Sequence, residues 1–145
     1  MKRKIYLASS WRNQDQPRIL KFLRQEGHEV YDFRNPARDD DGFSWSDIDP
    51  DWKDWKPFEF KAALRDPIAH HGFAADHRAM IWADTCVLLL PSGRSAHTEA
   101  GWFSGQGKPV FVLMEKAGEP ELMYKLFDYI ATSPINLLRI LNNWE

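Results

Sequence analysis

The 145-residue sequence has a single cysteine, Cys86, and therefore has no disulfide framework. Cys86 lies inside an apolar run, which favours a buried thiol. Long hydrophobic runs are also missing, since no stretch approaches the roughly 20 residues that a membrane-spanning helix needs. The apolar residues after the basic start Met1–Lys4 are too few for the core of a signal peptide. These absences predict a soluble, cytoplasmic protein without a membrane partner.

Neither sign of charge dominates, because 19 Lys and Arg residues face 21 Asp and Glu residues for a formal net charge of −2. Binding to a nucleic acid polymer requires a concentrated basic surface, and none is visible. We therefore expect no nucleic acid partner.

Motifs for cofactors, metals and serine hydrolases are missing as well. The sequence has no Walker loop, no dinucleotide fingerprint and no G-x-S-x-G elbow around a nucleophilic serine. Its clustered histidines lack the spacing of a zinc motif. We expect no cofactor and no catalytic metal. The histidines concerned are His70, His71, His77 and His97.

Aromatic residues are plentiful, with seven Trp and nine Phe. Six of them crowd an irregular stretch that is rich in Asp, Pro and Gly, at about residues 35–60. A loop of this length is usually a functional lid or disordered, and its rings favour a lid or a subunit contact. Trp45 is the candidate for stacking on a nucleobase; the alternative is that these rings only pack within their own domain. The six are Phe43, Trp45, Trp52, Trp55, Phe58 and Phe60.

Alternating strand and helix patterns run along the chain and predict one α/β domain over residues 1–145, a Rossmann-like three-layer sandwich with a short, mainly parallel sheet. The predicted strands are Ile5–Ala8, His28–Phe33, Asp84–Leu90 and Pro109–Met114. The predicted helices include an amphipathic one that ends at Gly27, and others over 58–64, 68–83, 96–105, 122–127 and 134–144.

Small polar residues follow two of the predicted strands. Ligands of open α/β sheets bind outside the carboxyl ends of strands, and a helix start there favours an anion. Arginine suits phosphate recognition. The simpler alternative is that serine and glycine only form turns. The candidate binding residues are Ser9, Ser10 and Arg12 after the first strand, and Ser92, Gly93, Arg94 and Ser95 after the third.

Two carboxylates are candidate catalytic groups. Glu99 falls about one turn inside the helix that follows this loop, where it can act as a nucleophile or a general base. The alternative is a first-turn glutamate stabilised by the helix dipole. Asp76 precedes the third strand and can take the complementary acid role, or be a solvated helix residue.

Four segments considered together are similar to the nucleoside 2-deoxyribosyltransferase superfamily, which includes the 2'-deoxynucleoside 5'-monophosphate N-glycosidases. They are Ile5–Ser9, Asp76 with Ala83-Asp84, Gly93–Gly101 and Gly107–Val110. The resemblance implies an enzyme with a Rossmann-like fold that cleaves an N-glycosidic bond. It implies that Glu99 forms a glycosyl-enzyme intermediate, that Asp76 helps to protonate the leaving base, and that Tyr6 belongs to the substrate site.

The loop departs from the pattern of the transferases. They carry an acidic residue shortly before the Gly-Ser of this loop, where this chain has Pro91 to Arg94. Arg94 favours an anionic substrate instead, and the hydrolases of the superfamily bind phosphate through serines in similar loops. The resemblance further implies a homodimer or a higher homo-oligomer, for which the apolar helix over 134–144 is a candidate surface. The alternatives are a nucleotide-sensing module without catalysis and a glycohydrolase acting on NAD.

Overall fold

A computed structural model describes residues 1–145 and contains one five-stranded sheet. All neighbouring strands are parallel, in the order β2-β1-β3-β4-β5. The strand order reverses between β1 and β3, which is the topological switch point of such a sheet. The strands are β1 (Lys4–Ala8), β2 (Glu29–Tyr31), β3 (Thr85–Leu89), β4 (Val110–Leu113) and β5 (Tyr129–Ala131).

Five α-helices connect or follow the strands, and short 3-10 helices occupy Trp45–Asp47, Trp52–Asp54 and Leu122–Leu126. No helix has both the length and the apolar character needed to cross a membrane. The helices are α1 (Gln16–Gln25), α2 (Pro57–Ala63), α3 (Pro67–Trp82), α4 (Arg94–Gly105) and α5 (Pro134–Asn143).

One face of the sheet is covered by α1 and α5. Alternate strand residues such as Ile5 and Leu7 are fully buried there, packed with Leu23 of α1 and Leu137 of α5 in one hydrophobic cluster. Leu137 and Leu141 of α5 are used in this way, whereas Ile135 on the same helix is 58% exposed, and assembly through α5 stays a prediction.

The opposite face is covered by α4, which packs on β1, β3 and β4. Tyr6 and Cys86 point to this side and are paired across β1 and β3. The buried residues of α4 include Ala100 and Phe103. With helices on both faces, the predicted three-layer α/β architecture is confirmed.

The sequence prediction missed β5 and misjudged one helix. β5 has only three residues, and two of them, Tyr129 and Ile130, are partly exposed, so the strand shows neither a buried run nor a clear alternation. The segment expected to be a helix over 122–127 forms a 3-10 helix, Leu122–Leu126. Leu122 and Met123 are exposed, so this segment does not bury an apolar face as a longer amphipathic helix would.

Two basic side chains bind backbone carbonyls at helix ends. The buried Arg3 donates to the carbonyls of Leu141 (2.7 Å) and Trp144 at the end of α5. Lys108 donates to three carbonyls near the end of α3, and its Nζ lies 5.6 Å from the ring centroid of Trp102. Gly107 makes the turn before Lys108 with a φ of 74°. Lys108 of the Gly-Lys-Pro-Val motif therefore satisfies backbone carbonyls at the end of α3. The three carbonyls belong to Met80, Ile81 and Ala83.

The chain divides into two compact units. The sheet unit comprises Met1–Asp32 and Met80–Glu145, and the aromatic unit comprises Phe33–Ala79. In the aromatic unit, the Trp45 ring meets three other rings at centroid distances of 4.7 to 5.8 Å, those of Phe43, Trp55 and Phe60. The predicted Trp-rich segment thus forms an aromatic cluster, and the single domain remains a prediction.

Candidate active site

The loops that follow β1 and β3 lie side by side at the switch point. Ser9 Oγ donates a hydrogen bond to the carbonyl of Leu89 (3.1 Å). Asn13 Nδ2 donates to the carbonyl of Pro91 (3.1 Å), which follows a cis peptide bond after Leu90. The two loops predicted to share one edge of the sheet are therefore held together there by side-chain hydrogen bonds.

Glu99 is the carboxylate that α4 directs at this face of the sheet. It is half-buried, and Tyr6 Oη donates a hydrogen bond to its Oε2. Glu99 is the sixth residue of α4, and no acidic residue lies in the first turn. The helix dipole acts mainly on the first turn, so it does not account for this glutamate.

On the side of the sheet, Glu99 lies near a residue that is fully buried. Cys86, the neighbour of Tyr6 on β3, is fully buried, and its pKa is raised well above the ordinary value by burial first and by the charge of Glu99 second. Cys86 is thus a neutral thiol, as expected for a buried cysteine. The Glu99 carboxylate lies close enough to disfavour a second negative charge there.

The ring that positions the Glu99 hydrogen bond is fixed on two sides. Tyr6 is 1% exposed. Its ring stacks on Tyr31 of β2 at 5.4 Å and contacts Phe103 of α4 at 5.5 Å. The sequence placed Tyr6 among the substrate-binding residues; the structure places its hydroxyl on the candidate nucleophile.

The start of α4 is open to an anion. Gly93 is the N-cap and provides no side-chain hydrogen bond, so side chains do not cap the first amides. Arg94 and Ser95 are exposed in the first turn, and Ser92 is half-buried beside it. A methyl group at Gly93 would meet nothing within 4 Å, so the approach to these amides is unobstructed from that position.

His97 ties this loop to a later segment. Its Nδ1 lies 2.8 Å from the Gly93 carbonyl and 3.5 Å from Ser92 Oγ, and its Nε2 lies 2.8 Å from Tyr124 Oη. A carbonyl can only accept, so Nδ1 carries a proton; in the neutral imidazole Nε2 is then the acceptor and Tyr124 Oη donates to it. Burial raises the pKa of Tyr124, which keeps it in this donating form.

The residues after β1 have mixed roles. While Ser9 donates to Leu89, its hydroxyl proton is not available to a ligand. Ser10 Oγ accepts from the backbone N–H of Arg12 (3.1 Å), which shapes the turn, and the Arg12 side chain is exposed. Arg12 is therefore the residue of this loop best placed to meet an anion from solvent.

Asp76 and Trp45, the remaining candidates, belong to the aromatic unit. Asp76 is half-buried on α3. Trp45 is half-buried within its ring cluster. Their roles stay predictions. No group of three or more His, Cys, Asp or Glu side chains is arranged to hold a metal ion.

Sequence reasoning missed three residues of the site. Asn13 is 3% exposed and joins the two loops, Tyr31 stacks on Tyr6, and Tyr124 binds His97. Tyr31 had a readable signal, because the last residue of a strand next to β1 can face Tyr6. Asn13 and Tyr124 act through contacts between distant segments, which no local pattern announces.

Comparisons with known proteins give structural neighbours only. Neither a protein-family model nor a curated protein sequence matches the chain. A 2-deoxyribosyltransferase from Bacillus psychrosaccharolyticus is similar with a TM-score of 0.64 and 20% identity, over 100% of this chain and 93% of the other. The CMP N-glycosidase BcmB of Clostridium botulinum has a TM-score of 0.51 and 21% identity, over 98% and 99% of the two chains.

A conserved protein from Enterococcus faecalis V583 is also similar, with a TM-score of 0.55 and 18% identity over 98% of both chains. The likeness extends over the whole chain in all three cases, and at these identities it establishes the fold. The resemblance read from the sequence motifs is thus confirmed at that level: the chain has the fold of a 2-deoxyribosyltransferase and of a CMP N-glycosidase.

Proposed function

We propose that the protein cleaves the N-glycosidic bond of a nucleoside, or of its 5'-monophosphate, through a glycosyl-enzyme intermediate on Glu99. The observation that carries the proposal is the hydrogen bond from the buried Tyr6 to Glu99 beside the switch point. The likeness to two enzymes that act on such bonds supports it.

The reaction follows the double displacement of retaining glycoside hydrolysis. Glu99 attacks the anomeric carbon, the C–N bond breaks, and the base leaves with its electron pair and takes a proton from Asp76. Tyr6, held by its neighbours, orients the attacking carboxylate. Water or a second base then attacks the same carbon, gives a proton to the Asp76 carboxylate, and the bond to Glu99 breaks, which regenerates both carboxyl groups.

A monophosphate fits the open start of α4 better than an uncharged nucleoside does. The exposed Arg94 and the uncapped amides provide positive charge and donors at one place. The exposed Arg12 adds a second guanidinium after β1. The serine that contributes most directly is Ser95 or Ser92, because Ser9 already donates to Leu89.

The test is chromatography of free bases released from a panel of ribo- and deoxynucleosides and their 5'-monophosphates, each with and without an added acceptor base. We expect release from a monophosphate by the wild type. Glu99→Gln should lower kcat at least about 10³-fold, since a nucleophile is lost. The exposed Glu29→Gln is the matched control and should leave the rate unchanged.

Mass spectrometry of acid-quenched enzyme should show a sugar adduct on the peptide that contains Glu99. A new nucleoside formed with the acceptor base would assign transfer, and free sugar phosphate would assign hydrolysis. Binding of nucleotides without any base release would contradict the proposal and favour a sensing module, and release of nicotinamide from NAD alone would favour a glycohydrolase for that dinucleotide.

We also propose a homodimer or higher homo-oligomer. Exposed apolar side chains around the last 3-10 helix support it, including Leu122 (75% exposed) and Leu126 (58%). Light scattering during size-exclusion chromatography measures the mass, and a monomer at micromolar concentration would contradict it.

A further inference from the structure

Tyr31 lies at the end of the edge strand β2, directly opposite Tyr6 in the parallel register. The two rings stack with centroids 5.4 Å apart and planes 20° apart. On its other flank Tyr6 is paired with Cys86, whose side chain is much smaller. Tyr6 therefore has a large flat neighbour on one strand and a small one on the other.

Because of this difference in size, the Tyr31 ring is the strand neighbour that can hold the Tyr6 ring, and with it the Tyr6 hydroxyl, in place. Phe103 contacts the Tyr6 ring at a tilt of 42° from the side of α4. Without the Tyr31 ring, the space on the β2 side would open and the Tyr6 ring could lean away from α4. The hydroxyl is the far end of that ring, so a small tilt moves it most, and it is the atom bonded to Glu99.

We propose that Tyr31 is a positioning residue for Glu99, acting through the Tyr6 ring. The inference rests on the proposed function of Glu99 as nucleophile. Tyr31 keeps the Tyr6 hydroxyl on one carboxylate oxygen and so keeps the carboxylate aimed. Misplacement by 1 Å in such an arrangement costs up to about 10²-fold in rate.

The first arm of the test is kinetic. Tyr31→Leu removes the ring and should lower kcat about 10-fold with little change in KM, from the loss of a ring pair and of alignment. Tyr31→Phe keeps the ring and should restore kcat to within about 2-fold of the wild type. Tyr129→Leu is the matched control, because Tyr129 also lies on a three-residue edge strand, at the other edge of the sheet.

The second arm does not need turnover. The Tyr6 hydroxyl is buried and hydrogen-bonded, so its proton should exchange slowly and give a proton NMR signal, identified by its loss in Tyr6→Phe. We expect this signal to persist in Tyr31→Phe and Tyr129→Leu. In Tyr31→Leu its exchange should be at least about 10-fold faster, since a partly opened bond protects less.

The outcomes separate the two proposals. Unchanged exchange and unchanged kcat in Tyr31→Leu would overturn the role of Tyr31. Faster exchange in a protein that releases no base from any nucleotide would support the role of Tyr31 and overturn the proposed reaction. A rise in KM alone would also overturn the inference, because it would make Tyr31 a substrate contact.

Discussion

The two units of the chain are stabilised in different ways. The sheet unit buries aliphatic and aromatic side chains completely, with residues such as Leu7, Leu89 and Leu113 at 0 or 1% exposure. In the aromatic unit only the small side chains of Ala63, Ala69 and Ala79 are buried, and they keep 7 to 8% exposure. Its large rings meet edge to face and remain partly exposed.

The two units therefore differ in how rigidly they hold their side chains. A close-packed core fixes side-chain positions, and the proposed nucleophile Glu99 lies in the unit that has such a core. Half-exposed rings such as Trp45 gain less from burial and keep a surface for a ligand or a second copy.

The largest expected effect tests this contrast directly. Leu113→Ala in the sheet unit should lower the free energy of unfolding by about 2–5 kcal/mol, because a cavity forms in a packed core. Trp45→Ala should cost only about 1–2 kcal/mol although it removes a larger side chain, because the ring is half-exposed and loses edge contacts. Urea unfolding followed by circular dichroism measures both. Equal costs would show that the aromatic unit is packed like a core.

The next effect concerns the hydrogen bonds between a lysine side chain and backbone carbonyls in the sheet unit. Lys108→Met should lower stability by about 1–3 kcal/mol, since three carbonyls lose a charged donor while an unbranched stem is kept. Lys2→Met is the control, because Lys2 is exposed and its contact with Glu29 is 3.7 Å long. If both variants unfold at the same urea concentration, the carbonyl contacts of Lys108 contribute nothing.

A smaller effect should differ in sign between the units. In Gly72→Ala, the new methyl would lie 2.9 Å from Phe43 Cβ, so we expect a loss of about 1–2 kcal/mol in the aromatic unit. In Gly101→Ala on α4, nothing lies within 4 Å, and alanine should stabilise the helix by up to about 1 kcal/mol. Thermal unfolding of the pair checks the sign. A stabilising Gly72→Ala would mean that Phe43 moves aside freely.

Hydrophobic patterns in the sequence predicted most of the fold, but only part of the candidate site. Apolar runs at 86–90 and 109–114 predicted buried strands, and β3 (Thr85–Leu89) and β4 (Val110–Leu113) are buried at every residue. Leu90 lies just past the end of β3 and is half-buried. The short edge strand β5 escaped because two of its three residues are exposed. A short edge strand of this kind is determined by the neighbouring strand with which it pairs, and its own residues do not reveal it.

Candidate residues of the site could be read from the sequence where one segment carries the signal. Glu99 follows from a strand, a small-residue loop and a helix in sequence, and the structure directs it at Tyr6. Asn13 was not predictable, because its contact with Pro91 joins residues 78 positions apart. Pairings at this separation depend on the register of the whole sheet.

The smallest expected effect contrasts a buried histidine of the sheet unit with an exposed one of the aromatic unit. The pKa of His28 is lowered by burial first and by the charge of Arg3 second; the N-terminus lowers it further, and Asp84 and Glu26 act in the opposite direction. His28 Nδ1 accepts from the Arg3 backbone N–H at 3.1 Å, and Nε2 is buried without a protein partner. The folded protein therefore holds His28 neutral.

The sign of the pH dependence follows from linkage. An unfolded histidine binds its proton near pH 6.5, while the folded one does so only at lower pH. Stability from His28 is thus fully present above about pH 6.5 and is lost as pH falls from there through the lowered folded value. His28→Asn keeps an acceptor for Arg3 but does not titrate, so the loss of stability between pH 7.5 and 5.5 should be smaller than in the wild type.

His71→Asn is the control in the aromatic unit. His71 is 70% exposed at its side chain, and its Nε2 lies 3.1 Å from Asp40 Oδ2. The pKa of Asp40 is lowered first by the hydrogen bond from the Gly42 backbone N–H and second by His71. Because this pair is in water, its removal should change the slope of stability against pH little. Urea unfolding at pH 7.5 and pH 5.5 measures how much stability the wild type and each variant lose. A wild-type slope in His28→Asn, or a larger change in His71→Asn, would show that burial in the sheet unit does not control the acid sensitivity of the fold.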